Sequence, residues 1–163
     1  MTIANQLSQE LQQQSVNTKR LLERIPNDKL TWKPHEKSTQ IGRLGMHIAE
    51  QPNTIVRTLT TKVFDMAANP FKPVFPNSTA EILETLDKSL AKAVEAFANA
   101  SDRDMEAIWT FRRGDQIIYE LPRLAVVRRT LEHTIHHRGQ LTVYLRLLDI
   151  PVPGTFGPSA DER

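Results

Sequence analysis

Apolar positions recur every three or four residues in four stretches of the chain, and proline-bearing breaks lie between most of them. The first stretch covers about 3–24, with Leu7, Leu11, Leu21, Leu22 and Ile25 on one side and glutamine-rich turns on the other. Pro26-Asn27-Asp28 stops it. Leu30-Thr31-Trp32-Lys33-Pro34 then reads as an extended connection, because a residue before proline avoids helical angles. The second stretch, capped by Ser38 or Thr39, runs over about 40–67 and lines up Leu44, His47, Ile48, Gln51, Ile55 and Leu59. Pro52 falls inside it, removes a backbone donor and predicts a kink or bulge about one turn after His47.

Residues 69–76 form a proline-punctuated crossover, after which Ser78-Thr79-Ala80-Glu81 matches a capping box at a helix start. The third helix continues to about 98 and buries Ile82, Leu83, Leu86, Leu90, Val94 and Phe97. Between 100 and 120 the helical period fails. Trp109-Thr110-Phe111 and Gln116-Ile117-Ile118-Tyr119, on either side of Arg112-Arg113-Gly114-Asp115, predict two short extended pieces and a turn. Pro122 suits the first turn of a last helix that runs from 121 or 122 to about 148, where Ile150-Pro151-Val152-Pro153 halts it. The expected fold is all-α: an up-and-down four-helix bundle with a short irregular or extended insert before the last helix. It forms one domain over 1–163.

Composition narrows the chemistry. No apolar run approaches the length of a membrane span, and the N-terminus lacks the basic start and apolar stretch of a secretory signal, so a cytoplasmic location is expected. The absence of cysteine excludes thiolate nucleophiles and thiolate metal ligands, leaving His, Asp and Glu to hold any metal. A formal charge of +2 is too small to imply a nucleic-acid surface, although a pI of about 9.0 and an arginine-bearing last helix keep a DNA-binding protein among the alternatives.

Three of the five histidines lie in Glu132-His133-Thr134-Ile135-His136-His137-Arg138-Gly139-Gln140. On a helix His133 and His137 are about 40° apart around the axis and one turn apart along it, so both rings can reach a common ion. His136 lies about 60° to the other side of His133, and spacing alone leaves it open as the second ligand. A third donor must come from another element. His47 is the one remaining histidine with an inward direction, since His35 is expected in a loop. A lone histidine on an apolar helix is more often satisfied by hydrogen bonds than by a metal. Three buried imidazoles, each with a donor and an acceptor to satisfy, favour a shared cation. Three neutral imidazoles would leave a divalent ion with an open position, as catalytic sites do.

Leu44-Gly45-Met46-His47-Ile48-Ala49-Glu50 and the His-His-Arg-Gly-Gln string at 136–140 resemble the DinB/YfiT-like family of candidate metalloenzymes. The resemblance extends to Leu30-Thr31-Trp32-Lys33-Pro34 and to the tail over 152–162, and so covers nearly the whole chain. It implies a four-helix bundle with a three-histidine site for zinc, nickel or a similar ion, one ligand coming from the second helix and an i, i+4 pair from the last. It selects His137 over His136 and gives the metal ligands as His47, His133 and His137. Some members transfer low-molecular-weight thiols or isomerise substrates with a thiol cofactor. The resemblance also makes a homodimer an expectation.

Glu50, three residues after His47, and Gln140, three after His137, are candidates to orient a ligand ring or a water, and Glu50 and His136 are the candidate general bases. Arg129 and Arg138 are considered for a substrate carboxylate, Tyr144 for a phenol near the cavity, and Trp32 and Trp109 for loop anchors. The Arg-Gly-Asp triplet at 113–115 reads as a surface turn. The function that follows is a metal-dependent enzyme acting on a small molecule, as a hydrolase or a small-thiol transferase with a low-molecular-weight thiol as cosubstrate. The competing reading is a metal- or ligand-binding stress-response module without turnover.

Overall fold

The computed structural model describes residues 1–70 and 72–162; Phe71, inside the expected crossover, lies outside the described residues. Four long helices form where the spacing predicts them: α1 (Ile3–Leu22), α2 (Ile41–Thr60), α3 (Thr79–Ala98) and, after a short α4 (Asp102–Glu106), α5 (Arg123–Leu147). α2 packs against both α3 and α5, and α1 against α3. One apolar cluster joins Leu22, Ile48, Ile82 and Leu141, and a second joins Leu7, Ile55, Phe97 and Val127. No helix among the described residues is long and apolar enough to cross a membrane.

The all-α expectation is corrected by a three-stranded mixed sheet. β1 (Val63–Asp65) pairs in parallel with β2 (Ile108–Arg113), which pairs antiparallel with β3 (Gln116–Pro122). β2 and β3 are the two extended pieces expected around the Arg-Gly-Asp turn, in which Gly114 takes a positive φ of 57° and its amide donates to Asp65. β1 is the surprise, because residues 61–67 were expected to continue the second helix. Helix α2 instead ends at Thr60. Thr61 caps it by donating to the Arg57 carbonyl, accepts the Trp109 indole N–H at 3.1 Å, and the Lys62 carbonyl receives the amide of Thr110. Contacts with residues nearly fifty positions away outweigh local helical propensity here. The fold is therefore a four-helix arrangement in part, with a fifth helix and a sheet laid across one end.

α2 is one helix across Pro52, whose missing donor leaves the Ile48 carbonyl without its usual helical partner. Other local details depart from expectation in physically simple ways. Neither Ser38 nor Thr39 caps α2. Gln40 occupies the cap position without a side-chain bond, and the free amides of Ile41 and Gly42 donate to the carbonyls of Trp32 and Leu30 at 2.8 and 3.0 Å. The 30–34 connection thus serves as the cap, although it begins as a turn and not as the expected extended segment, with Leu30 at helical angles after a 3-10 turn over Asn27–Lys29. Ser78 caps α3 as predicted, while the Glu81 carboxylate reaches the amide of Asn77 instead of Ser78. α4, which the sequence reading missed, starts with a Ser101/Asp104 capping box.

The start of α2 supplies a test of this arrangement. A Cβ on Gly42 would lie 2.8 Å from the Leu30 carbonyl oxygen and 3.1 Å from the Leu30 Cβ. Overpacking against backbone costs about 1–3 kcal/mol, and the gain in helix propensity returns about 0.5–1 kcal/mol. Gly42→Ala is expected to lower stability by a net of about 1–2 kcal/mol in urea unfolding. An unchanged or higher midpoint would mean that the close approach of the 30–34 segment does not constrain α2.

Candidate metal centre

α2 and α5 lie side by side, and their contact brings three imidazoles to one point. His47 from α2 and His133 and His137 from α5 each offer a nitrogen, and these atoms all lie within 4.8 Å of one another. His47 Nε2 is 3.2 Å from His133 Nε2, and His133 Nε2 is 2.5 Å from His137 Nε2. The cluster sits on the flank of the α2·α5 seam and not in its apolar centre: His133 is exposed, and His47 and His137 are half-buried.

An imidazole nitrogen carries either one proton or one lone pair, so three nitrogens facing a common point cannot all be satisfied by hydrogen bonds to each other. A cation accepting three lone pairs satisfies them at once. Tetrahedral zinc–nitrogen bonds of about 2.0–2.1 Å separate their nitrogens by about 3.3 Å, close to the His47–His133 spacing, whereas His133 and His137 would have to part from 2.5 Å to hold the same ion. His137 Nδ1 is 2.6 Å from Gln140 Oε1, so the Nδ1–H donates to the amide and the Nε2 lone pair is left facing the cluster. Gln51 Nε2 lies 3.1 Å from His47 Nε2 and 3.3 Å from the His47 carbonyl. It donates to a lone pair that a metal would need, with the carbonyl as an alternative acceptor. The donor set fits a divalent ion.

The electrostatics agree with neutral rings. Burial, followed by His137, Arg43 and His133, pushes the His47 imidazole down to about 4. Burial, with the neighbouring histidines, lowers His133 as well, and it lowers His137 despite the opposing bond to Gln140. His136 turns away, exposed, with its ring 5.2 Å from that of His137 and outside the cluster. His35 stays in its loop, where it accepts from the Lys37 amide.

A cavity of about 700 Å³ opens beside the cluster, bounded by α2, α5 and the sheet, with His47 and His133 in its wall. Its size suits a small molecule. Glu50 lines it and is paired with the buried Arg43 guanidinium at 3.1 Å. Trp109 is a wall of this cavity as well as an anchor. Tyr144 is not: it meets Trp32 edge-on at 5.8 Å in the apolar cluster. Arg138 is also spent elsewhere, its buried guanidinium donating to the Gln14 carbonyl and side-chain amide and tying α5 to α1. Gln51 and Arg57 were missed as site residues. Gln51 lies at i+4 from His47, a signal available in the sequence but read as core spacing.

The chain belongs to the DinB family, whose model matches residues 1–162. It is 28% identical over 149 residues to the uncharacterized protein YrdA of Bacillus subtilis (strain 168), covering 89% of this chain and 83% of that protein. Its fold resembles a DinB-like protein from Bacillus cereus ATCC 10987, with a TM-score of 0.73 and 22% identity over 95% of this chain and 98% of the other. It also resembles the DinB-like protein YjoA of Bacillus subtilis, with a TM-score of 0.69 and 18% identity over 97% and 99% of the two chains.

The lowered His47 group sets a pH signature. Between its folded value of about 4 and the unfolded value of about 6.5, the unfolded chain binds more protons at this site, so acidification through that window removes stability. EDTA-treated wild type is expected to lose more stability than His47→Gln as pH falls from 7 to about 4, measured by urea midpoints. Parallel pH profiles would show that His47 is not held neutral by its surroundings.

Proposed function

We propose that this protein is a metal-dependent enzyme in which His47, His133 and His137 hold a divalent ion, zinc or nickel, and a small-molecule substrate occupies the adjoining cavity. The observation that carries this reading is the convergence of three neutral imidazoles beside a space large enough for a substrate. Bound there, a divalent ion supplies Lewis acidity and an open coordination position.

The chain's own groups divide the remaining work. Gln140 fixes the tautomer of His137, and Gln51, which donates to His47 Nε2 in the absence of an ion, has the His47 carbonyl as its acceptor when an ion takes that lone pair. Glu50, paired with Arg43 and lining the cavity, is the proton acceptor in this reading. His136, turned outwards, takes no part. The reaction class is hydrolysis or transfer of a low-molecular-weight thiol. Both need a nucleophile's proton removed and an electrophile held still. The cavity favours this reading over a closed structural metal site, which needs no adjoining space.

Elemental analysis of gently purified protein tests the proposal. Wild type and His136→Ala are expected to carry close to one equivalent of metal, and His47→Ala, His133→Ala and His137→Ala to lose it. Gln140→Ala is expected to weaken metal affinity by about 10–100-fold. Hydrolysis of a chromogenic ester, or conjugation of a small thiol to a chromogenic electrophile, should disappear with EDTA and return with the metal. Wild type that carries no metal and takes none up on titration contradicts the proposal.

A further inference from the structure

The wall of the cavity facing the helices is a row of aromatic rings that the strand register dictates. Phe64 of β1 pairs with Phe111 of β2, and Phe111 pairs with Tyr119 of β3, so the three rings stand side by side on one face of the sheet. The Phe64 and Phe111 rings are 5.9 Å apart and nearly parallel, and the Phe111 and Tyr119 rings are 5.1 Å apart. A guanidinium sits at each end of the row. Arg57 of α2 lies 4.1 Å from the Phe64 ring centre, and Arg129 of α5 lies 5.0 Å from that of Tyr119. Both arginines line the same cavity, with Lys72 at its edge.

Their partners are unusual for arginines in such a place. Among the described residues neither Arg57 nor Arg129 forms an ion pair with a carboxylate, whereas the one acid lining the cavity, Glu50, is engaged by Arg43. Burial pushes the Arg57 guanidinium below its usual range, the mark of a cation deprived of part of its water without a counter-charge. Stacking on aromatic faces orients a guanidinium and leaves its N–H edge free to donate. The cavity is thus cationic, and its free donors suit a planar anion.

We infer that Arg57 and Arg129, one at each end of the aromatic row, form an anion subsite in the cavity beside the histidine cluster, in which one guanidinium binds the carboxylate of a small organic acid and the other attracts it across the row. That this acid is the substrate rests on the catalytic reading above; the subsite itself does not require the metal. The aromatic row fixes both guanidinium groups, and the acid's reactive end is then directed towards His47 and His133 on the helical wall.

Calorimetric titration with benzoate and its neutral counterpart benzamide tests this on as-purified and on EDTA-treated protein. Benzoate is expected to bind at least about tenfold more tightly than benzamide in both preparations, since a charge-assisted bond is the stronger kind. Arg57→Gln and Arg129→Gln are each expected to weaken benzoate about tenfold, with benzamide binding and metal content unchanged. Arg129 is exposed, so its variant carries the test alone if Arg57→Gln does not fold. Wild type that fails to bind benzoate at millimolar concentration, or arginine variants that bind it normally, overturn the inference. Binding that vanishes with EDTA and ignores both arginines also overturns it, placing the carboxylate on the metal and leaving the catalytic reading intact. Arginine-dependent binding by protein that takes up no metal sustains the subsite while the catalytic reading falls.

Discussion

The packing of α2 against α5 is the contact on which the rest of the site depends. It turns three helical side chains, two of them one turn apart on the same helix, towards a single point. Imidazole nitrogens so arranged cannot satisfy each other, and their surroundings keep them uncharged. The bundle therefore gathers on its flank three imidazole nitrogens that could hold a cation. Holding that geometry requires both helices to be fixed along their length. The carbonyls of Leu30 and Trp32 secure the start of α2, and buried Arg138 ties α5 to α1 next to His137.

The sheet completes the site from the other side. It is too small to be an independent layer, but it is joined to the helix ends by specific bonds. Trp109 donates to Thr61 at the end of α2, and the buried Arg123 guanidinium at the start of α5 donates to the Thr61 carbonyl at 3.0 Å. These contacts make one wall of the cavity from aromatic rings and the other from histidines. An ion held by the helices would be exposed to bulk solvent without that wall. The two parts of the fold thus divide the labour: helices present the three histidines and the sheet shapes the space beside them.

Much of this was legible in the chain. The i, i+4 spacing of His133 and His137 is a geometric statement about any helix, and His47 was the remaining inward histidine. Spacing alone could not choose between His136 and His137, because both lie near His133 on the helical wheel. The choice depends on how α5 is rotated, with Thr130, Leu131 and Arg138 facing inward. α5 hides its own orientation, since its inner side carries polar groups that blur an apolar stripe. β1 was illegible for a different reason: a three-residue strand formed by pairing with residues more than forty positions away leaves no local period, and helical spacing read straight through it. With β1 misread as helix, Phe64 had no sheet to stand on, and the stacked position of Arg57 could not be seen.

The central claim is that these three nitrogens and no fourth protein group hold a divalent ion. A crystal of metal-loaded protein, measured on both sides of the metal's absorption edge, examines it most directly. The account predicts one anomalous peak bonded to Nε2 of His47, His133 and His137, with water or buffer in the remaining position. No peak at that point, or a fourth ligand from the protein closing the site, would contradict it.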